Sequence, residues 1–378
     1  MYFMKKSWVY LIIISILILS GIGYYFHSFL TLRITQELPP LDFISLPPSY
    51  TLEVFADDLG PQAVSIPGPN NGVRMLEHKD GVFYATLPGK GQVIALQDKD
   101  GDWKIEKRTV FISGLTKPHG LASEGDYVYI AAEDKVVRVK DTDHDGLADL
   151  ETLQDLVELP AGSHWTRSVK IFEGQMYISI GSTCNVCDEE NPWRAKVIKC
   201  NLDGSDCSVF ASGLRNAVDL EFYNEEIWAT DNGRDLLQAD LPPDEVNILV
   251  EGKDYGWPIC YGKQIHDLEY DQNVYIQDPC LDTEASVIDL QAHSAPIGLA
   301  FYEDDLLVAF HGSWNRNPPT GYKIVRINLE THEVKDFASG WLGADGSVRG
   351  RPTDLLIING SVLVSDDVAG KIYRIFRE

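Results

Sequence analysis

The stretch richest in reactive side chains runs from Gly213 to Pro258, GLRNAVDLEFYNEEIWATDNGRDLLQADLPPDEVNILVEGKDYGWP. It opens with Arg215 and Asn216 just before an apolar strand. A second strand, Glu226 to Thr230, ends in Asp231-Asn232-Gly233-Arg234-Asp235. Upstream stand His164 and Arg167 in GSHWTRS. Downstream stand His311 with GSWNR, Gly312 to Arg316, and GRPTD, Gly350 to Asp354. An imidazole titrates near neutrality and can serve as a base, and guanidinium forks bind carboxylates. Each stretch lies at the entry or exit of a short apolar strand, so a rigid sheet framework can gather them into one polar site.

A second concentration of oxygen ligands is Asp141-Thr142-Asp143-His144-Asp145-Gly146-Leu147-Ala148-Asp149. Carboxylates at loop positions 1, 3, 5 and 9, glycine at 6 and the carbonyl of Leu147 at 7 follow the spacing of an EF-hand-type calcium loop. Position 12 is Thr152 and Glu151 stands one place early, so the usual bidentate glutamate is out of register. A metal-free acidic turn between repeats is the alternative. Asp98, Asp100 and Asp102 around Gly101 are a weaker echo, read as an ordinary acidic turn.

The elements that must position these residues form a repeat. Apolar β-type cores are centred on Val82, Val128, Met176, Ile227, Leu306 and Val362, at intervals of 46, 48, 51, 79 and 56 residues. Each has an apolar strand before it and a turn and another strand after it. Three or four strands at a period near 50 signal a propeller blade, so the chain is predicted to be all-β, a six-bladed β-propeller over residues 49–378. The last blade, 350–378, is one strand short, and TLEVFA, Thr51 to Ala56, is free to close the ring. The long interval around 240–290 reads as a rim insertion.

Residues 1–30 differ in kind. Lys5 and Lys6 precede an uncharged run, Trp8 to Phe26. This is about the roughly 20 residues a bilayer-spanning helix needs. It predicts a transmembrane signal anchor with an exported body, membrane-anchored on the extracytoplasmic side, or secreted if the anchor is cleaved. Residues 31–48, with Pro39, Pro40, Pro47 and Pro48, read as a stiff linker. The formal net charge of -25 excludes a nucleic-acid partner, since phosphates would be repelled. The six cysteines fall as local pairs, Cys184/Cys187, Cys200/Cys207 and Cys260/Cys280. An even count on the exported side favours three disulfides; a zinc site at Cys184/Cys187 is the rival.

These residues resemble the PQQ (pyrroloquinoline quinone)-dependent glucose/sorbosone dehydrogenase family, most closely its sorbosone branch. The resemblance rests on GSTCNVC, CNLDGSDCSVFASGLRN, IWATDNGRD, PPDEVN, YGWPICYG, FHGSWNRNPPTGYKIVRI, GRPTDLLI and VSDDVAGKIYRI, in order across residues 70–378. It implies a quinoprotein that oxidises an aldose or aldehyde sugar by hydride transfer to PQQ with calcium and hands electrons to an external acceptor. His164 then holds the family's base position, with His311 and His119 as competitors. Arg215 and Asn216 match its cofactor-contacting pair, and Arg74, Arg316 and Arg351 stand at or near further cofactor positions. Gly233 and Arg234 match the turn whose carbonyls hold the cofactor's calcium. Two departures stand out. Thr353 replaces a second arginine after Arg351, and Ser163 leaves His164 without an acidic neighbour; Arg349 and Arg167 are candidates to compensate. Asp231 and Asp235 are expected behind the metal turn, and Asp244, Glu245 and Asn247, with Tyr255 to Pro258, around the rim. Alternatives are a propeller that only binds a ligand or protein partner, and a calcium-dependent lactonase. The lactonase would need acids and amides where this chain places arginines.

Overall fold

The structure is a computed structural model, and it describes residues 41–60 and 72–377. The expected anchor, and the linker up to residue 40, lie outside the described residues. Among the described residues no helix is long and apolar enough to cross a membrane. The compact unit Phe43–Glu378 carries all the sheets.

Six sheets of four or more strands follow one another along the chain. Their first strands are Leu76–Lys79, Gly120–Glu124, Val169–Phe172, Ala217–Tyr223, Pro296–Tyr302 and Pro352–Ile358, which define blades 1 to 6. Each first strand packs on those of the two neighbouring blades, so the six close into a ring. They line an axial channel of about 270 Å³. The second strands, among them Val82–Leu87 and Asp305–Phe310, are buried along nearly their whole length because sheets cover both their faces. This is why they read as unbroken apolar cores. The hydrophobic core is a set of layers between adjacent blades: Tyr84, Val93 and Phe111 of blade 1 meet Val128, Ile130 and Val137 of blade 2.

The ring closes as the sequence predicts. Tyr50–Ala56 pairs antiparallel with Lys371–Arg377 and becomes the outer strand of blade 6. The expected linker is already docked at Ser45, which exchanges two backbone hydrogen bonds with Ser339 of blade 5 (2.7 and 3.1 Å). The three disulfides join Cys184 to Cys187, Cys200 to Cys207 and Cys260 to Cys280, which removes the zinc alternative. The last lies in the blade 4 insertion, which leaves the third strand Asp244–Leu249 and returns as the fourth, Ile288–Leu290.

Candidate functional site

The first two strands of a blade run antiparallel, so the start of one and the end of the other lie on the same face of the ring. The singled-out residues occupy those positions. Arg74, His119, His164, Arg215 and Arg351 precede first strands; Ser182–Cys187, Asp231–Asp235, His311–Arg316 and Asp366-Asp367 follow second strands. The turn between third and fourth strands lies on the opposite face, and there stand the Asp141 loop and the Asp98 turn.

His164 has a left-handed backbone, φ +44°, uncommon for a residue other than glycine. Two buried arginines hold the segment. Arg167 donates to His164 O (2.7 Å) and Pro160 O (2.6 Å), and Arg194 to Ser163 O (2.8 Å), Gly181 O (3.0 Å) and Ala161 O (2.6 Å). Arg194 was not singled out in the sequence, where it is one arginine between apolar strands. The imidazole Nδ1 lies 2.9 Å from Ser182 O. A carbonyl only accepts, so Nδ1 carries the proton and Nε2 keeps its lone pair. Burial, with Arg215, Arg194 and Arg167 nearby, holds the His164 pKa down at about 3, so the ring is a neutral base at physiological pH.

The rival histidines are placed differently. His311 Nε2 lies 3.0 Å from both Asp367 oxygens, and its Nδ1 accepts an N–H of Arg351 (3.3 Å). Both ring nitrogens are spent. His119 is fully buried, its Nδ1 3.3 Å from Arg167 O.

The arginines divide into two sets. Arg74 pairs with Asp367 (2.7 Å), and Arg351 donates to Gly312 O (2.9 Å) and Tyr322 Oη (3.0 Å) beside it. Arg215 is braced by Asn185 O (2.9 Å), Asn185 Oδ1 (2.9 Å) and Asp235 (3.0 Å). Two others are engaged by acids of the blade 4 segment. Arg316 is engaged by Asp240 (2.6 Å) and Ala292 O (3.2 Å), and Arg234 by Asp267 (2.7 Å) and Glu269 (2.8 Å) of the insertion. Thr353 is buried with its hydroxyl on Arg351 O (3.3 Å), so packing rather than charge fills that departure from the family pattern.

Asp231 accepts the backbone N–H groups of Arg215 (3.0 Å) and Asn216 (2.6 Å). Asp244 accepts Gly233 N–H (2.9 Å) and Ala295 N–H (2.9 Å). Asp244, Glu245 and Asn247, expected at the rim, are buried in the third strand of blade 4, and Asp244 supports the Asp231–Asp235 turn from behind. The reason is strand alternation inside a doubly covered sheet, which rim-like composition conceals. Burial pushes the Asp244 carboxyl up to about 6 and that of Glu245 to about 7.

The site suits an anion and a cation side by side. One carboxylate, Asp367, faces two guanidinium groups, Arg74 and Arg351, and a neutral imidazole. Asn216 Oδ1 is buried without a hydrogen-bond partner. A Cβ at Gly181 would stand 2.5 Å from that oxygen and 2.7 Å from His164 Cβ, so the glycine keeps the gap between base and amide open. The carbonyls of Gly233 and Arg234 accept no hydrogen bond among the described residues, as carbonyls meant for a hard cation should. These groups fit PQQ with calcium.

On the opposite face, carboxylate oxygens of Asp141, Asp143 and Asp145 lie within 4.8 Å of one another. Asp149, expected as a fourth ligand, instead accepts Thr142 N–H (2.8 Å), and the Leu147 side chain is exposed. Gln97 and Lys107 of blade 1 grip the loop through His144 O and Asp145 O (2.6 Å each).

Comparison with known proteins gives concordant findings. The model of the TrAA12-like family matches residues 76–340. A protein of Borreliella burgdorferi is 31% identical over 296 residues, 70% of this chain and 76% of that one. A 41-residue segment, 10% of this chain and 6% of the other protein, is 51% identical to a PQQ-dependent pyranose dehydrogenase of Coprinopsis cinerea. The PQQ domain of a Coprinopsis cinerea pyranose dehydrogenase, solved in holo form, superposes with a TM-score of 0.75 at 19% identity, covering 88% of this chain and 97% of that one. A family AA12 enzyme of Trichoderma reesei, solved with calcium, gives 0.73 at 19% identity over 89% and 97% of the two chains. At these identities the superpositions establish the shared fold.

Proposed function

Since the chain belongs to the TrAA12-like family, we propose that it is a quinoprotein oxidoreductase that oxidises a sugar with PQQ and calcium and passes the electrons to an external acceptor. The observation that carries this reading is His164. His164 and His119 both pair an Nδ1 facing a carbonyl with an uncommitted Nε2, but His119 is sealed in the interior, and of the three candidate histidines only His164 combines that arrangement with exposure at the propeller mouth. Bound beside it, PQQ with calcium supplies the oxidant that accepts two electrons from the sugar carbon. Arg351 and the cationic surroundings of Arg74 would hold the cofactor's carboxylates, and Asn216 Oδ1, an acceptor, would take a ring N–H. The Gly233 and Arg234 carbonyls would hold the metal. His164 Nε2 takes the substrate hydroxyl proton, and burial, with the arginines around it, keeps the ring unprotonated until that moment. A sugar of the aldose or aldehyde type fits this chemistry, and extracytoplasmic residence of a membrane-anchored body fits the three disulfides.

Titration of the cofactor-free exported body with PQQ, with and without a calcium chelator, tests the reading. Saturable binding at micromolar cofactor that the chelator abolishes is expected. No change in quinone absorbance or heat in either arm would refute it.

The Asp141 loop is proposed as a separate structural calcium site, on the face away from the chemistry. Calcium at 100 times its dissociation constant is expected to stabilise the wild type by about 2.7 kcal/mol. Asp143→Ala with Asp145→Ala should erase that gain and leave dye reduction per folded molecule nearly unchanged. Identical melting curves for both proteins across a calcium titration would remove the site.

A further inference from the structure

The loop Ser182–Cys187 lies between the base of blade 3 and the arginine of blade 4 and is bonded to both. On one side Ser182 O receives His164 Nδ1–H (2.9 Å), and Ser182 Oγ donates to Cys184 O (2.7 Å). On the other, Ser182 N–H donates to Arg215 O (2.8 Å). Asn185 sits inside the small loop that the Cys184–Cys187 disulfide closes. Its carbonyl takes Arg215 Nε–H (2.9 Å) and its Oδ1 takes Arg215 Nη2–H (2.9 Å). The same Oδ1 takes Asp235 N–H (2.7 Å), and its Nδ2–H goes to Asp235 O (2.9 Å). Asp235 then closes on Arg215 at 3.0 Å. An asparagine that engages an arginine and a turn through backbone oxygen, amide oxygen and amide nitrogen leaves neither free to rotate. None of the chemistry above uses Asn185.

We propose that Asn185, held in place by the Cys184–Cys187 bridge, is a positioning residue. It fixes Arg215 and the Asp231–Asp235 turn in the register that cofactor and metal require. This rests on the PQQ reading. Arg215 alone is a long side chain with many rotamers, and an arginine aligned in advance loses less freedom when an anion arrives. The disulfide limits the conformations open to a four-residue turn, so the amide is presented at one angle. The device would work without touching cofactor or substrate.

The test is a double-mutant cycle read by PQQ titration of the cofactor-free protein in calcium. Asn185→Ala is expected to weaken binding by about 10–100-fold, the usual cost of losing a supporting contact around a bound centre. Because much of its effect runs through Arg215 and the rest through Asp235, that loss should be several-fold smaller in the Arg215→Ala background. Wild-type affinity in Asn185→Ala, or losses that simply multiply in the double mutant, would overturn the proposal. If Asn185→Ala fails to fold, Cys184→Ala with Cys187→Ala opens the same loop and is expected to give the same result. A wild type that binds no PQQ would refute the functional reading instead. Amide exchange in the cofactor-free protein then decides: faster exchange at 213–216 and 231–236 in Asn185→Ala supports the positioning role, and unchanged exchange ends it.

Discussion

Replacing His164 with alanine is expected to lower turnover by about 10²–10⁴-fold, the usual contribution of a placed general base, while PQQ binding persists. Persistence follows because cofactor and metal would be held by guanidinium groups, an amide and backbone carbonyls. The same change at His119 or His311 should do far less to the chemical step, since one ring is buried and the other has both nitrogens engaged. The pH profile supplies an independent check. A pKa held down at about 3 keeps the base unprotonated above that value. The acidic limb of kcat/KM assigned to His164 should therefore appear only as pH falls towards that region, and it should be missing from His164→Ala. Loss of turnover in His311→Ala with retention in His164→Ala would move the chemistry to blade 5.

Lys170→Met is expected to destabilise the propeller by about 1–3 kcal/mol, between the worth of an exposed pair and the cost of unpairing a buried charge, because Lys170 and Glu221 are half-buried. Lys170 projects into the axial channel with Glu77, Asp219, Glu221 and Asp354, from four of the six blades, and bonds Glu221 at 2.9 Å. Burial pulls the lysine pKa down, and the four carboxylates more than reverse it. Burial raises Glu77 and Asp219, and Asp354 to about 6, even with the lysine present. A carboxyl raised on folding penalises the folded state above its folded pKa, and the penalty fades as pH falls towards the unfolded value near 4. Removing the ammonium raises these groups further. The deficit of Lys170→Met in thermal melts should therefore be largest near pH 7.5 and shrink towards pH 4–5. A deficit independent of pH would mean that lost packing, not charge, is responsible.

The architecture was legible because its signals are local. Apolar cores such as DLLVAF mark second strands whatever surrounds them, and the missing strand of blade 6 could be matched with TLEVFA. Cysteine pairs separated by a turn needed only a hairpin to meet. The site was legible as far as position. His164, Arg215, Asn216 and Arg351 were placed at one mouth because they precede first strands. What a side chain does there depends on partners distant in sequence, and these carried no signal. Arg316 reads like an anion ligand until Asp240 is seen to hold it. Arg194 and Asn185 look like loop residues until the folded chain sets them against the turns of His164 and Arg215. Asp149 fits a calcium spacing, yet the fourth strand of blade 2, which it opens, turns it to Thr142.

The seam in blade 6 has a consequence for how the protein is made. Leu52 pairs with Ile375, and Arg374 reaches Glu53 across 321 residues of chain. At synthesis rates of about 5–20 residues per second, the closing strand waits tens of seconds for its partner. During that interval TLEVFA is an unpaired edge of the kind that recruits foreign strands, and Glu53 in its middle is the charge that discourages them. Closure of the ring therefore waits until Lys371–Arg377 has been made. A message broken before the codons for Lys371–Arg377 yields a protein with the mouth residues all present and no completed ring to hold them.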